Sequence, residues 1–463
     1  MLGRGYVKLG ATGNRAFTQE PRLHRSSKTL CCAALAIAFV AAPGCAPYTP
    51  LPLDRVPPLA PALTVLPETP LGLAQVTALA LERDPDVRAV RARHGLADAQ
   101  LLQSGILPNP MLNGAVLPLL SGIGTVPAWS IGISQDIKAL VTYRAKRRAA
   151  EYAARQVYAD VLWQEWQVAG QARQLAVDLI AGERSRPLLM EAFDLLQRRS
   201  TVLQQALAAG NATLVTAAPT QVALQAARAS VQALDQRQLS LRHQLNALLG
   251  LTPDAVVPLA TVIDLPPLDM TAIRASLDTL ADRRPDLLAL RLGYASQDAT
   301  LRVAILSQFP DLVLGGAGSS DNSKVINGGP NVTVGLPIFD RNQGNIAIAT
   351  ATRAQLHAEY AARLATATGQ VGATLAEMEQ LQAQLTVVRR DLPAARLAAQ
   401  RAAGAFGASN LDERSYVDLV TNRFAKEQEV MTMERALLDR QVALLTLIGA
   451  GLPAVDTLPG AVK

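Results

Sequence analysis

Two apolar rhythms run through the chain. Residues 142–207 and 342–404 are long stretches rich in Ala, Leu, Gln and Arg, and they read as very long helices. A break at Gly210-Asn211, and another around Gly407 to Asn410, precedes shorter return helices at 214–249 and 413–449. Helices at 86–107 and 286–308 begin just after a proline, which suits a first helical turn. Pro187 and Pro219 fall inside helices of the first half, and kinks are expected there. Elsewhere the period is 2. In 129–137, Trp129, Ile131, Ile133 and Ile137 alternate with Ser130, Gly132, Ser134 and Asp136, and Gln135 interrupts the apolar face. In 331–339, Val332, Val334, Leu336 and Ile338 share a face opposite Asn331, Thr333 and Gly335. Companion strands are expected at about 110–120 and 310–319, with Gly315-Gly316-Ala317-Gly318 read as external loop.

The rhythm repeats at an offset of 200 residues. Arg83, Pro85, Asp86, Ala89, Arg91, Asp98, Ala99, Leu101, Pro110 and Leu112 match Arg283, Pro285, Asp286, Ala289, Arg291, Asp298, Ala299, Leu301, Pro310 and Leu312 without a gap. The chain therefore reads as two units, 71–262 and 263–451, followed by a tail at 452–463. At about 1.5 Å per residue, a helix over 342–404 is roughly 95 Å long. The return helix and short helix of the same unit together reach roughly 90 Å, so one long helix should run beside two stacked short ones. The segment between them, Thr252 to Asp282, is expected to form a collar at mid-height. Such lengths suit a tube or stalk.

Strands of this length and alternation fit a lipid-facing barrel wall, with Trp129, Ile131, Ile133, Val332, Val334 and Leu336 toward lipid. Four strands cannot close a barrel, and an open edge in lipid leaves backbone groups unpaired. About eight strands is the practical minimum, so several copies must share one barrel.

The N-terminus changes the picture of composition and charge. Arg4, Lys8, Arg15, Arg22, Arg25 and Lys28 precede an apolar run, Thr29 to Ala42. The run is too short for a bilayer span of about 20 residues but fits an export signal over residues 1–44. Pro43-Gly44-Cys45 resembles a lipoprotein cleavage box, with Ala42 where leucine is usual. Cys45 is then the lipid anchor, heading a Pro-rich extended arm over residues 45–70; an ordinary signal peptide with Cys45 incidental is the alternative. A covalent lipid on Cys45 is the one non-protein group expected, with no other cofactor. Cys31 and Cys32 leave with the signal, so no disulfide can form. Residues 1–44 hold six Lys/Arg and Glu20, which leaves 38 basic and 37 acidic residues beyond them. The basic pI thus belongs mostly to the leader and does not point to nucleic acid. His94, His243 and His357 lack ligand spacing, so no metal site is expected, and no phosphate loop, zinc-protease helix or nucleophile elbow suggests an enzyme.

Several motifs then resemble the TolC-type outer-membrane factor family. They are Leu107-Pro108-Asn109-Pro110, Arg284-Pro285-Asp286, Phe309-Pro310-Asp311-Leu312 and the run Leu336-Pro337-Ile338-Phe339-Asp340-Arg341-Asn342-Gln343-Gly344-Asn345-Ile346. The last is similar to the CzcC-like, heavy-metal efflux branch. The resemblance implies a mainly α protein with a membrane β-barrel part: a homotrimer, twelve strands in one barrel, continued by a helical tunnel. It implies a passive exit duct, docked on a periplasmic adaptor and an inner-membrane pump of RND type, for heavy-metal cations. Multidrug export or type I secretion is the alternative within the family, and a lipid-anchored coiled-coil scaffold without a pore the alternative outside it. The family's adaptor-facing tips correspond to Gly210, Asn211 and Ala212 and to Ser409, Asn410, Leu411 and Asp412. Its gate aspartates correspond to Asp418, with Thr421 where a second acid would stand and Ala217 and Ala218 in the first unit. Asp412 and Glu413 are the remaining gate candidates.

Overall fold

The computed structural model describes residues 48–56, 59–63, 70–275 and 277–449. The leader, Cys45 and the 452–463 tail lie outside the described residues. Residues 48–56 belong to a separate N-terminal unit and carry no helix or strand. All that follows concerns the second unit, from residue 58 onward.

Two helices open that unit: α1 (Leu73–Arg83) and α2 (Pro85–Ser104). Strands β1 (Met111–Leu117) and β2 (Ala128–Asp136) lead into α3 (Ile137–Ala208) and α4 (Leu214–Leu248). Two short helices, α5 (Met270–Ala275) and α6 (Leu280–Arg283), precede α7 (Pro285–Leu306). Then come β3 (Asp311–Ser320), β4 (Ile326–Gly335), α8 (Gln343–Gly407) and α9 (Glu413–Leu447). At 72 residues, α3 extends roughly 108 Å. It packs along α4 over one part and along α2 and α7 over another, while α8 does the same with α9 and α7. Pro187, Pro219 and Pro393 all lie within helices assigned as continuous. Sequence reasoning missed α1, whose Leu73, Val76 and Ala80 are buried against α3.

The core follows this architecture as a chain of separate apolar clusters. One gathers Leu71, Val76, Leu175, Leu179, Leu245 and Leu249, with Val257 and Leu259 of the collar beside them. Two parallel bridges, Ala60 to Leu251 and Leu71 to Leu259, stitch the N-terminal segment to the collar. Another joins Ile273 and Leu280 to Val371, Leu375 and Leu444. Each collar cluster thus lies where a return helix ends. A third, Leu196, Leu224, Tyr416, Val417 and Phe424, sits near the opposite end of both hairpins.

The two repeats have diverged at their shared motif. Asp84 caps α2 by accepting from the Val87 amide at 2.8 Å. At the matching place, Arg284 forms a buried two-point pair with Asp286 (3.0 and 2.8 Å) and lies 4.6 Å over the Trp163 ring. Its Nη1 also donates to the Leu447 carbonyl at 3.2 Å, which holds the end of α9 to the start of α7.

Candidate functional site

The four strands form one antiparallel sheet in the order β1-β2-β3-β4, so the central pairing joins the two repeats. Register decides its faces. Trp129 pairs with Val116 and Ser320, Ile131 with Gly114 and Gly318, and Ile133 with Leu112 and Gly316. Continuing across, Leu314 pairs with Val332 and Leu312 with Val334. Leu112, Val116, Trp129, Ile131, Ile133, Leu314, Val332 and Val334 therefore share one face, and all but the intermediate Leu312 beside them are exposed. The other face carries Asn113, Ser130, Ser134, Ser319, Asn327, Asn331 and Thr333. None of the apolar clusters among the described residues includes a strand residue. A sheet with this much exposed apolar side chain and no core is built for a non-aqueous neighbour.

Three expectations need correction here. Strand β4 ends at Gly335, so Leu336 lies beyond it and is 74% exposed. Pro337 cannot donate to a ladder, whereas Pro330 is tolerated because β4 is an edge strand. Residues Gly315 to Gly318 are strand, and the turn is Asp321 to Val325, where Asp321 Oδ1 accepts from the amides of Ser323 (2.8 Å) and Val325 (2.9 Å). The glycines serve close approach: a Cβ on Gly315 would collide with the Ile133 carbonyl oxygen. Ile137, finally, opens α3 instead of closing β2, because Asp136 caps the helix through the Ala139 amide at 3.1 Å.

The hairpin tips have matching geometry. Gly210 has φ 76° and Ser409 φ 59°, and the next amides, Asn211 and Asn410, each donate at 2.8 Å to the carbonyls of Ala206 and Ala405. Both are left-handed helix stops of the six-to-one type, with serine in the second repeat where the first has glycine. Leu411 is partly covered by the tip cluster, while Asn211 and Asn410 are exposed.

The three acids near the tips do different things. Asp418 is exposed, with only a long approach of 3.9 Å from Arg414. Asp412 caps α9: its Oδ1 accepts from the Ser415 amide at 2.9 Å and its Oδ2 from the Ser415 hydroxyl at 2.7 Å. The Ser415 backbone bond, then the hydroxyl bond, hold its carboxyl below the usual range. Glu413 is not available to an open ring of carboxylates. It is buried, ion-paired with Arg199 of α3, and accepts from the Thr220 hydroxyl of α4 at 3.0 Å. The Arg199 guanidinium lies 4.4 Å over Phe406 of α8, which stacks on Tyr416 at 4.7 Å. Four helices from two hairpins thus meet at one clasp. Nothing local marks Arg199, which is 214 positions from Glu413.

A second polar cluster lies farther along the bundle. Arg435 Nε donates to Asp178 at 2.7 Å, and Gln174 donates to Asp439 at 2.7 Å. Burial, then the nearby Asp178 charge, push the Asp439 carboxyl up. Among the described residues, no group of three or more His, Cys, Asp or Glu is placed to hold a metal ion, and no helix is long and apolar enough to cross a membrane.

This fold, with long helical hairpins and one four-stranded sheet, is shared with solved outer-membrane channels. The crystal structure of CusC, whose study describes transmembrane channel formation, aligns with TM-score 0.65 at 18% identity, over 88% of this chain and 100% of that one. Residues 277–450 match the family model for the outer membrane efflux protein. The cation efflux system protein CusC of Escherichia coli K12 is 25% identical over 264 residues, 54% of this chain and 58% of that protein. The probable outer membrane lipoprotein SilC of Salmonella typhimurium is 25% identical over 179 residues, 36% of this chain and 39% of that protein. The chain thus spans less than two thirds of the length of these curated relatives.

Proposed function

We propose that three copies of this chain form a passive exit duct through the outer membrane, the outermost part of a tripartite efflux system. The observation that carries this reading is the four-stranded sheet, with its exposed apolar face, polar opposite face and two open edges. Edges that pair between copies satisfy their backbone groups, and three copies supply enough strands to close a barrel. The apolar face then meets lipid and the polar face lines the pore.

The cargo we infer is heavy-metal cations, a reading supported by the CusC relative being a cation efflux system protein. Cys45 is the proposed acylation site, in keeping with SilC being a probable outer membrane lipoprotein. The tips around Gly210-Asn211 and Ser409-Asn410-Leu411 are the proposed landing sites for a periplasmic adaptor, which couples the duct to an RND-type pump. Asp418, exposed near the tip, is the proposed gate carboxylate; one per copy makes a thin ring that attracts cations.

Deleting the gene and testing growth on cobalt, zinc, cadmium, copper and silver salts beside drugs and dyes tests the cargo. Sensitivity confined to metals is expected; sensitivity to drugs alone refutes the metal assignment. Purified protein in planar bilayers should show channel openings, and a complete absence of conductance refutes the duct.

A further inference from the structure

We propose that the start of α3 carries a phosphate-binding stripe for anionic phospholipid of the inner leaflet, an inference that rests on the outer-membrane reading above. At 3.6 residues per turn, Ile137, Val141, Arg144 and Arg148 fall on one face, with Leu140 beside them. Leu140 and Val141 are 40% and 54% exposed, and both arginines below them are exposed. Exposed apolar side chains followed within one turn by exposed arginines mark a passage from hydrocarbon to headgroups.

The charge here is one-sided. Residues 137–148 contain Lys138, Arg144, Lys146, Arg147 and Arg148 and no acid. Lys138 is taken by Asp311 at 2.7 Å and Arg147 by Glu151 at 3.1 Å. Among the described residues the side chains of Arg144, Lys146 and Arg148 make no hydrogen bond or ion pair. The other end of the sheet has no such excess: the β1–β2 connection, residues 118–127, carries no charge, and the β3–β4 turn carries one acid and one base, Asp321 and Lys324.

A second observation places the lipid boundary at this level. Leu336, Ile338 and Phe339 follow the end of β4, Phe309 precedes β3, and they are 74%, 65%, 91% and 60% exposed. Gly335 pairs with Asp311 and Asp136 with Val313, so these residues and the start of α3 share one end of the sheet. An exposed apolar and aromatic belt there is the usual mark of the membrane–water interface. Arg144 lies seven residues into α3, about 10 Å below the strand end, and helical side chains lean back toward the N-terminus. Its guanidinium therefore reaches the headgroup layer, roughly 5–8 Å deep on each side. A guanidinium presents paired donors that match phosphate oxygens.

The test is native mass spectrometry of the full-length, detergent-purified channel. The probes are phosphatidylglycerol, phosphatidylcholine of the same acyl chains, and inorganic phosphate. Retention of phosphatidylglycerol over phosphatidylcholine is expected. Each basic residue near an anionic surface is worth about 1 kcal/mol, so Arg144→Gln with Arg148→Gln should weaken that retention about thirty-fold. Arg144→Lys with Arg148→Lys should keep the part of it that comes from charge and lose the part that comes from the paired donors, falling between the wild type and the glutamine variant. Equal retention of both lipids, an unchanged preference in the glutamine variant, or full displacement by millimolar inorganic phosphate each overturns the proposal. Planar-bilayer conductance of the same preparations separates the two failures. Conducting protein without lipid preference defeats only the stripe, whereas protein that neither conducts nor retains lipid defeats the channel reading with it.

Discussion

Replacing Arg199 with methionine tests the idea that one clasp holds the hairpin tips together. Methionine keeps much of the stem volume but removes the charge and every donor. Glu413, 6% exposed, would keep only the Thr220 hydroxyl at 3.0 Å. Stranding one member of a buried pair costs about 3–5 kcal/mol, and the lost cation–π contact with Phe406 adds about 0.5–2 kcal/mol. Arg199 is itself partly exposed, with a side-chain accessibility of 22%, so the lower end, about 3 kcal/mol, is the sounder expectation. Glu413 is the first residue of α9, and its partners lie on α3 and α4. The loss should therefore appear as local opening of the tip. Amide hydrogen exchange across residues 411–424 should accelerate about a hundredfold, while the collar around Leu245 and Leu249 stays unchanged. Glu413→Gln should do less, because the Arg199 side chain left behind can reach water. A double-mutant cycle between Arg199→Met and Glu413→Gln should return a coupling of about 1.5–3 kcal/mol. Exchange that is unchanged at the tip, or faster by the same factor everywhere, would refute the reasoning.

Three further outcomes are expected. Asp439 is half-buried with a raised carboxyl pKa, so the folded state binds its proton more readily than the unfolded chain does. Its contribution to stability must then fall as pH rises from the ordinary value of 3.8 through the raised one, and thermal unfolding from pH 4 to 7 should show Asp439→Asn flattening that slope and raising the neutral midpoint. Gly315→Val would drive a Cβ against the Ile133 carbonyl oxygen, where backbone must yield; loss of the heat-modifiable oligomer on gels is the expected readout, and wild-type assembly would contradict it. Asp412→Ala should fray the first turn of α9 while Asp412→Asn preserves it, because asparagine offers the same cap; equal exchange of the Ser415 amide in both would count against the cap.

Much of the architecture was legible in the chain because it depends on local periodicity. The long helices, their breaks and three of the four strands follow from apolar spacing and turn residues within short windows. The fourth strand was displaced because Val332, Val334, Leu336 and Ile338 alternate past the point where Pro337 ends the ladder. Only the register with Leu312 and Leu314 fixes which of these residues are strand. The glycine run at 315–318 was read as a loop for the converse reason. Glycine's local preference is for turns, and only the nearby Ile133 carbonyl shows why a strand needs it there.

The acids near the tip make the same division sharper. Sequence alone determined that Asp412, Glu413 and Asp418 stand within the first two turns at the start of one helix. Tertiary structure decided that the first caps a helix, the second is sunk into a clasp and the third remains exposed. The physical reason is range. Capping and helical periodicity are settled within four residues, whereas the fate of Glu413 depends on a guanidinium on another helix, 214 positions away, that no local pattern announces.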